Sequence, residues 1–166
     1  MSERSPAPGG LELVESLVNT VALDSGADAL DTAEGRARFG LGEEDVAGAR
    51  ELRESLRVAL LAHAGHPAHR EVTPLGVLLA ASPLLVAVDA ADGSAVLAAA
   101  DQGPLRSRVA AAIAQALVEG TWGRLKACEA GDCHWAYYDR SPAGRGRWCS
   151  MQVCGARAKM RRYRAK

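Results

Sequence analysis

The feature that most constrains the fold of this 166-residue chain is the placement of its four cysteines. They form two Cys-x4-Cys pairs separated by fifteen residues, and all lie in the last quarter of the sequence: Cys128, Cys133, Cys149 and Cys154. Each pair can present two thiolates to one ion, and the intervening segment is long enough for a hairpin that brings the pairs together. The spacing therefore predicts one structural, tetrahedral zinc site.

Other uses of the four cysteines stay open at the level of sequence. Two disulfides would need an oxidising compartment, but the N-terminal residues contain no apolar stretch like that of a secretory signal peptide. The later apolar stretches are too short to span a bilayer, so we expect a cytoplasmic protein with reduced thiols. An iron site, or a redox switch that releases the metal, is compatible with the same residues.

The charge distribution separates the C-terminal segment from the rest of the chain. Residues 124–166 contain 11 Lys and Arg against 3 Asp and Glu, a net charge of +8, whereas residues 1–123 contain 9 against 17, a net charge of −8. A basic segment attached to an acidic body is typical of a module that binds a polyanion, with nucleic acid as the expected partner. Small exposed modules also need charge for solubility, so charge alone does not settle the partner.

Apolar periodicity predicts a mostly helical body over residues 11–121, preceded by a disordered segment at residues 1–10. A first helix is indicated by an apolar stripe at Leu13, Val14, Leu17, Val18 and Val21. Residues 24–42 are read as a short helix and a loop. A longer helix should begin at the acidic residues 43–45 and end near Gly65, with its charged residues, including Arg53, Glu54 and Arg57, outside the buried stripe.

The second part of the body combines a hairpin with two further helices. Asp92-Gly93 is a turn dipeptide between apolar segments at 84–88 and 95–98, which predicts two antiparallel strands. Neither segment alternates polar and apolar residues, so we expect both faces to be covered. Helices are predicted after Pro74 and Pro104, because proline is well tolerated in a first turn, with Leu117 on the buried side of the second. The expected fold class is α+β: a mostly helical N-terminal domain with a small antiparallel hairpin, followed by a four-cysteine zinc finger made of a β-hairpin and a helix.

Three histidines at three-residue spacing, His63, His66 and His69, resemble a second ligand set only superficially. Gly65 and Pro67 interrupt any helix there, so the spacing does not bring the rings together, and no cysteine or carboxylate pattern accompanies them. We expect a solvated loop.

Residues 122–166 predict two short strands at 124–127 and 134–139, a basic loop, and a helix over 150–164 whose first turn carries the second cysteine pair. A segment of this size cannot bury enough apolar area to fold alone, so the metal should supply folding free energy and chelation should unfold the segment. Four aromatic residues are expected to form its small core: Trp135, Tyr137, Tyr138 and Trp148.

The basic residues of this segment are the candidate nucleic-acid contacts: Arg145, Arg147, Arg157, Lys159, Arg161, Arg162 and Arg164. On the C-terminal helix, Arg157, Arg161 and Arg164 recur at a spacing that gives one basic ridge. Arginine binds phosphate oxygens in bidentate fashion and can read guanine edges in the major groove, so the ridge predicts DNA binding. A solvated helix face is the alternative.

The run Arg147-Trp148-Cys149-Ser150-Met151, followed by Cys154-Gly155-Ala156-Arg157 and preceded by Cys128-x4-Cys133 and Tyr138-Asp139, resembles the CGNR zinc finger, a C-terminal module of bacterial proteins. The resemblance covers about residues 122–166. In that family the finger typically follows an ABATE domain, regarded as a stress-induced transcription regulator region, and Leu17-Val18-Asn19-Thr20 resembles the Val-Asn-Thr signature near the start of that domain. Ala156 stands where the family motif has Asn, so the role of that side chain is missing here.

These observations together predict a cytoplasmic, zinc-binding transcription regulator. Its zinc finger binds DNA, and its body senses a small-molecule or protein signal or forms a homodimer. The alternative is a finger that serves as a structural or protein-interaction module without binding nucleic acid. An enzyme is not expected, because four cysteines close the coordination shell of zinc and the sequence contains no recognisable nucleophile motif, phosphate-binding loop or paired carboxylates.

Overall fold

The computed structural model describes residues 5–165, and its architecture confirms the predicted α+β class. Six α-helices occur within this range: α1 Leu11–Val18, α2 Ala33–Ala37, α3 Val46–His63, α4 Leu75–Leu79, α5 Leu105–Val118 and α6 Ala156–Arg164. Two antiparallel hairpins accompany them, β1 Leu84–Val88 with β2 Ala95–Ala99 and β3 Leu125–Ala127 with β4 Ala136–Tyr138. Shorter turns complete the described range: 3-10 turns at Ala29–Asp31 and Trp122–Arg124, and a π-helical turn at Met151–Gly155.

Helix α3 is the centre of the body, and α1 and α5 pack against it. It follows the acidic residues 43–45, as predicted, and it ends before Gly65, whose φ of 76° is the left-handed conformation that commonly terminates helices. The core residues repeat three or four positions apart on each helix: Leu11, Val14, Leu17 and Val18 on α1, Leu52, Leu56 and Leu60 on α3, and Val109 and Ile113 on α5. Leu117, predicted on the buried side of α5, is instead exposed near the end of that helix.

The prediction that the charged residues of α3 lie outside its buried face is wrong for Arg53, Glu54 and Arg57. All three are buried, and both arginines bind Glu54, with Arg53 Nε donating to Glu54 Oε1 at 2.9 Å. Arg53 also donates to Asp28 Oδ2 at 2.8 Å. Buried charges are tolerated when they are paired. Periodicity on one helix does not reveal such partners, because Asp28 lies far away in the sequence.

The β1–β2 hairpin forms as predicted, but its environment differs from the expectation. Its register pairs Leu84 with Ala99 and Val88 with Ala95, and Gly93 in the turn has a φ of 73°. The expectation that both faces are covered is wrong, since several apolar side chains are 53–68% exposed: Leu85, Val86, Val88 and Val96. The lack of polar residues on these strands therefore has no explanation in burial against the rest of the described chain.

The β3–β4 hairpin lies in the cysteine-rich segment of the sequence but in the core of the body. Leu125 and Ala127 are fully buried, Ala136 is 3% exposed, and all three belong to the same buried cluster as the α1 and α3 residues. Strand β3 lies along α3, and β4 lies along α1. The two segments of opposite charge thus share one hydrophobic core.

Residues 5–10 lie against the body rather than extending from it. Ala7 is buried and its N–H donates to Glu15 Oε2 at 2.6 Å, while Arg140 Nη2 donates to the carbonyl oxygen of Pro6 at 2.7 Å. The disorder expected for residues 1–10 does not extend to these positions, and residues 1–4 lie outside the described range. Among the described helices, none combines the length and the apolar character needed to cross a membrane.

Candidate metal centre and its attachment to the body

The four cysteine thiols converge beside the β3–β4 hairpin. Cys128 follows β3, Cys133 lies in the connection to β4, Cys149 precedes the π-helical turn and Cys154 lies within it. All four Sγ atoms lie within 4.8 Å of one another, with 3.6 Å between Cys133 and Cys149 and 3.7 Å between Cys149 and Cys154. These separations exclude disulfide bonds of about 2.05 Å. They match the sulfur–sulfur distance of about 3.8 Å that follows from tetrahedral Zn–S bonds of about 2.3 Å, so the residues fit one metal ion.

The protonation chemistry of the cluster also fits a cation. Without one, hydrogen bonds to Cys128 and Cys149, together with burial, raise the pKa of the Cys133 thiol above its ordinary value. Contact with Cys133 lowers the pKa of Cys128, but contact with Cys149 and burial raise it more, to about 12. Backbone hydrogen bonds from Ala130 to Cys128 and from Trp135 to Cys133 favour the thiolates. These backbone bonds do not outweigh the side-chain contacts and the burial that raise the pKa values, whereas a divalent cation would lower them, because its charge stabilises all four thiolates at once.

A buried ammonium group fixes the loop that leads to the third cysteine. Lys126, on β3, is 4% exposed, and its Nζ donates to Asp139 Oδ2 at 2.9 Å and to backbone carbonyls of the loop. Asp139 also accepts from the Ser141 hydroxyl at 2.6 Å and from the Gly146 N–H at 2.7 Å. Burial opposes the ionisation of Asp139, but hydrogen bonds led by that from Ser141 hold its pKa below the ordinary value. The hairpin therefore positions the loop that places Cys149 opposite the first cysteine pair.

The body holds the same hairpin through Asn19, the residue that follows α1. Its Nδ2 donates to the carbonyl oxygen of Ala136 at 3.0 Å, and its Oδ1 accepts from the N–H of Ala136 at 2.7 Å. The amide side chain thus pairs with the edge of β4 as a neighbouring strand would, three residues after the ligand Cys133. In the sequence, Asn19 stands out only as part of a short signature, and neither Lys126 nor Asp139 is recognisable as a positioning residue.

Buried ion pairs fix the chain on either side of Asn19. Arg57 Nη2 donates to the carbonyl oxygen of Val18 at 2.6 Å, and Arg53 Nη1 donates to the Thr20 hydroxyl at 3.0 Å. Both guanidinium groups bind Glu54. Burial opposes the ionisation of Glu54, but Arg57 and then Arg53 outweigh it and hold the pKa of Glu54 at about 2. The charged carboxylate of Glu54 is therefore the centre of the attachment.

The three histidines predicted in a solvated loop lie instead where the body meets the cysteine-rich segment. His63 belongs to the last turn of α3, with Nδ1 2.8 Å from the carbonyl oxygen of Leu125 and its ring edge-on to Trp122 at 4.8 Å. His66 and His69 are partly buried in the loop that follows. The prediction of solvation is wrong because the β3–β4 hairpin and its connections cover this end of α3.

His66 and His69 approach the metal-binding segment without joining the cysteine cluster. His66 Nε2 lies 3.8 Å from Glu129 Oε2, and the ring of His69 lies 5.6 Å from that of His134. His134, next to a ligand in sequence, has its Nδ1 2.9 Å from the carbonyl oxygen of Cys128. Among the described residues, the four cysteines are the group whose ligand atoms lie close enough together to hold a metal ion.

The predicted aromatic core of the segment is divided between two clusters. Tyr137 is buried among the cysteines and donates its hydroxyl to the carbonyl oxygen of Gly146 at 2.7 Å, and Trp148 packs against the same cluster. Tyr138 packs against the core of the body instead. Trp135 is 41% exposed, so its assignment to the core is wrong.

Two of the candidate nucleic-acid residues are engaged within the segment itself. Arg157 donates to Asp132 Oδ2 at 3.0 Å and to the Sγ of the ligand Cys154 at 3.4 Å. Arg147 pairs with Glu129. The ridge predicted on α6 therefore begins with an arginine that already has anionic partners.

The other five candidates are exposed: Arg145, Lys159, Arg161, Arg162 and Arg164. Arg145 lies in the loop before Cys149, and the remaining four lie on α6. Within residues 5–165, no ion pair joins any of these five to an acidic side chain. Ala156, where the family motif has Asn, is the exposed first residue of α6.

The similarity found between this chain and known protein families lies in its C-terminal segment. No curated protein matches the sequence. Residues 124–166 match the protein-family model described as the CGNR zinc finger, and the matched range contains the four cysteines together with Lys126 and Asp139. The match does not reach residues 11–121, so the ABATE-like body stays a prediction. The C-terminal segment of this chain is therefore similar in sequence to the CGNR zinc finger family, and its four thiols lie close enough together to bind one metal ion.

Proposed function

We propose that this chain is a zinc-containing, DNA-binding transcription regulator in which α6 contacts the DNA backbone and the body receives a signal or joins two copies. Cys128, Cys133, Cys149 and Cys154 would hold the ion. Zinc bound by four thiolates has no open position for a substrate, so it supplies a structural cross-link rather than catalysis. The exposed cationic helix next to this centre is the observation that carries the proposal.

Helix α6 has the surface expected of an element that binds a polyanion. None of its residues is buried, and it carries four cations without an acidic partner among the described residues: Lys159, Arg161, Arg162 and Arg164. Met160 and Tyr163 are 52% and 78% exposed, which adds apolar surface for sugars or bases beside the charges. A helix that packs against little of its own chain and carries this charge is suited to phosphate contact.

The pairing of Arg157 with the metal centre supports the same proposal. By contacting both Cys154 and Asp132, Arg157 ties the first turn of α6 to the cysteine cluster. The direction of the helix is therefore set by the folded metal site rather than by contact with the body. The body carries the acidic excess of the chain, so it would repel DNA and leave the finger as the contact surface.

The test is a fluorescence anisotropy titration of the zinc-loaded full chain with a duplex of about 30 base pairs at several salt concentrations. Each phosphate contact neutralised contributes roughly −0.9 to the slope of log affinity against log salt concentration. The double variant Arg161→Ala, Arg164→Ala should bind more weakly and reduce the slope by about 2.

The matched control removes the same charge from the body. The double variant Arg38→Ala, Arg106→Ala changes two arginines that are also exposed but belong to the part of the chain with a net negative charge, residues 1–123. It should leave the DNA affinity and its salt dependence unchanged. A salt-independent affinity, or equal losses in the two double variants, would contradict the proposal.

The second candidate function is a zinc finger that closes the body without binding nucleic acid. The burial of Leu125, Ala127 and Ala136 in the common core favours this alternative, since the first half of the segment forms part of the hydrophobic core of the body. The two functions differ in what they require of α6, which contributes nothing to the shared core. Absence of DNA binding by the zinc-loaded wild type would leave this alternative in place.

A further inference from the structure

The β1–β2 hairpin exposes apolar side chains on both of its faces. Val86 and Val88 are 68% and 63% exposed on one face, and Leu85 and Val96 are 55% and 53% exposed on the other. Neither strand contains a charged or polar residue. An isolated two-stranded hairpin is marginally stable in water and normally gains stability from a third strand or a covering helix.

The two strands of this hairpin differ in exposure. Strand β2 lies against α5 and is buried or partly buried from Leu97 to Ala99, whereas β1 is exposed from Leu85 to Val88. Backbone bonds from Ala100 N–H to Pro83 O at 3.0 Å and from Asp89 N–H to Ser94 O at 2.8 Å set the phase of the ladder. Since hydrogen-bonded and non-hydrogen-bonded residue pairs alternate along an antiparallel ladder, the backbone N–H and C=O groups of Leu85 and Ala87 point towards β2.

It follows that the N–H and C=O groups of Leu84, Val86 and Val88 point away from β2, along the free edge. Natural proteins usually protect such an edge with a lysine, a proline, a bulge or a covering segment. Strand β1 contains neither lysine nor proline in its five residues, and its regular register with β2 contains no bulge. The outward backbone groups of β1 are therefore available to pair with another strand.

We propose that this edge pairs with the same edge of a second copy of the chain, giving a four-stranded antiparallel sheet across a two-fold axis at Val86. In that register Val86 faces Val86 of the second copy and Leu84 faces Val88. Each of these three directly opposed pairs exchanges two hydrogen bonds, so all six outward backbone groups are satisfied. The two-fold pairing is self-complementary, as closed homodimers require.

Charge favours a second copy as the occupant. The nearest charged residue beyond β1 is Asp89, which in this register lies opposite Pro83 of the second copy rather than opposite another acid. No like charges meet across the junction; valine and leucine side chains meet on one face, and Leu85 meets Ala87 on the other. The neutral edge offers nothing to select a charged peptide. The dimer does not depend on DNA binding, but it would place two α6 helices in one assembly.

Sedimentation velocity of the zinc-loaded full chain over a range of concentrations tests the proposal. The wild type should form a dimer. Val86→Lys should raise the dimer dissociation constant roughly tenfold or more, because the two-fold axis places two ammonium groups on directly opposed residues. Val118→Lys is the matched control, since Val118 is 71% exposed on α5 and outside the hairpin, and it should dimerise as the wild type does.

Circular dichroism and metal content establish that each variant is folded. Val86 is largely exposed in a single chain, so the lysine fits the monomer. If Val86→Lys fails to fold, Val88→Lys replaces it, because Val88 opposes Leu84 across the same axis and should also weaken the dimer. A monomeric wild type at all concentrations, or a folded lysine variant that dimerises as strongly as the wild type, would overturn the proposal.

Discussion

The two halves of the cysteine-rich segment are held in opposite ways. The first half, residues 124–138, carries Cys128 and Cys133 on a hairpin that lies in the core against α1 and α3. The second half, residues 139–165, carries Cys149 and Cys154 and ends in α6, which has no buried residue. The body therefore fixes the first cysteine pair directly, whereas the second pair is held only through the loop that Lys126 and Asp139 fix, so we expect its position and that of α6 to depend more on the metal.

Removing the metal should produce the largest effect and should fall on the second half. Chelation leaves three buried thiols and the partly buried Cys133 without a common partner, so residues 139–165 should lose protection from amide hydrogen exchange by several orders of magnitude. Residues 124–138 should lose much less, because Leu125 and Ala127 remain covered by the body. Hydrogen exchange followed by mass spectrometry of the zinc-loaded and chelated protein measures both segments at once.

The variant Cys154→Ser provides the control for chelation, since it removes one ligand and leaves the hairpin untouched. It should reproduce the loss of protection in the second half. Uniform loss across α3, the hairpin and α6 would show that the two halves are not distinguished by their attachment.

The next largest effect is expected at Glu54, on the body side of the attachment. Glu54→Ala leaves Arg57 buried without an anionic partner, and breaking a buried ion pair in this way costs about 3–5 kcal/mol of unfolding free energy. Glu51→Ala, on the same helix but exposed, should change it by less than about 0.5 kcal/mol. Chemical denaturation of the zinc-loaded proteins compares them.

The pH dependence of that difference follows from the lowered pKa of Glu54. A carboxyl whose folded pKa is about 2 against an ordinary 4.5 contributes full stability above pH 4.5 and loses it as the pH falls towards 2. The stability gap between wild type and Glu54→Ala should therefore narrow between pH 4.5 and pH 2. The four cysteines are the same in both proteins, so metal loss in acid does not by itself create the change in the gap.

A smaller effect is expected from Asn19→Ala, which removes both hydrogen bonds to Ala136. The buried backbone groups of β4 then lack partners, at a cost of about 1–3 kcal/mol. The control is Gln115→Ala on α5, whose side-chain amide donates to the exposed Glu119 just after that helix and should contribute little. Equal denaturation midpoints for wild type and Asn19→Ala would mean that the hairpin does not need the asparagine for its position.

The smallest effect on stability is expected on α6. Arg161→Ala, Arg164→Ala should change the unfolding free energy by less than about 0.5 kcal/mol, because both side chains are exposed and have no acidic partner among the described residues. Thermal unfolding of this variant and of Glu54→Ala under the same conditions compares the loss of stability caused by a change on α6 with that caused by a change in the body. A loss of more than about 1 kcal/mol would place α6 in the folded core.

Sequence predicted what depends on local pattern and missed what depends on distant partners. The cysteine spacing predicted the metal site, and the Asp92-Gly93 turn predicted the β1–β2 hairpin. The burial of Arg57 and the position of His63 escaped prediction, because their partners lie 39 and 62 residues away in sequence. The shared core was likewise invisible, since the charge difference between residues 1–123 and 124–166 indicates two modules even though Leu125 packs with α1 and α3.

The central claim is that one ion bound by all four cysteines joins the fixed half of the segment to the exposed half. X-ray absorption spectroscopy of the purified full chain, with metal content measured on the same sample, tests it most directly. We expect one zinc ion per chain surrounded by four sulfur atoms at about 2.3 Å. A metal-free chain with residues 139–165 still protected from exchange, or a zinc ion with fewer than four sulfur ligands, would contradict the account.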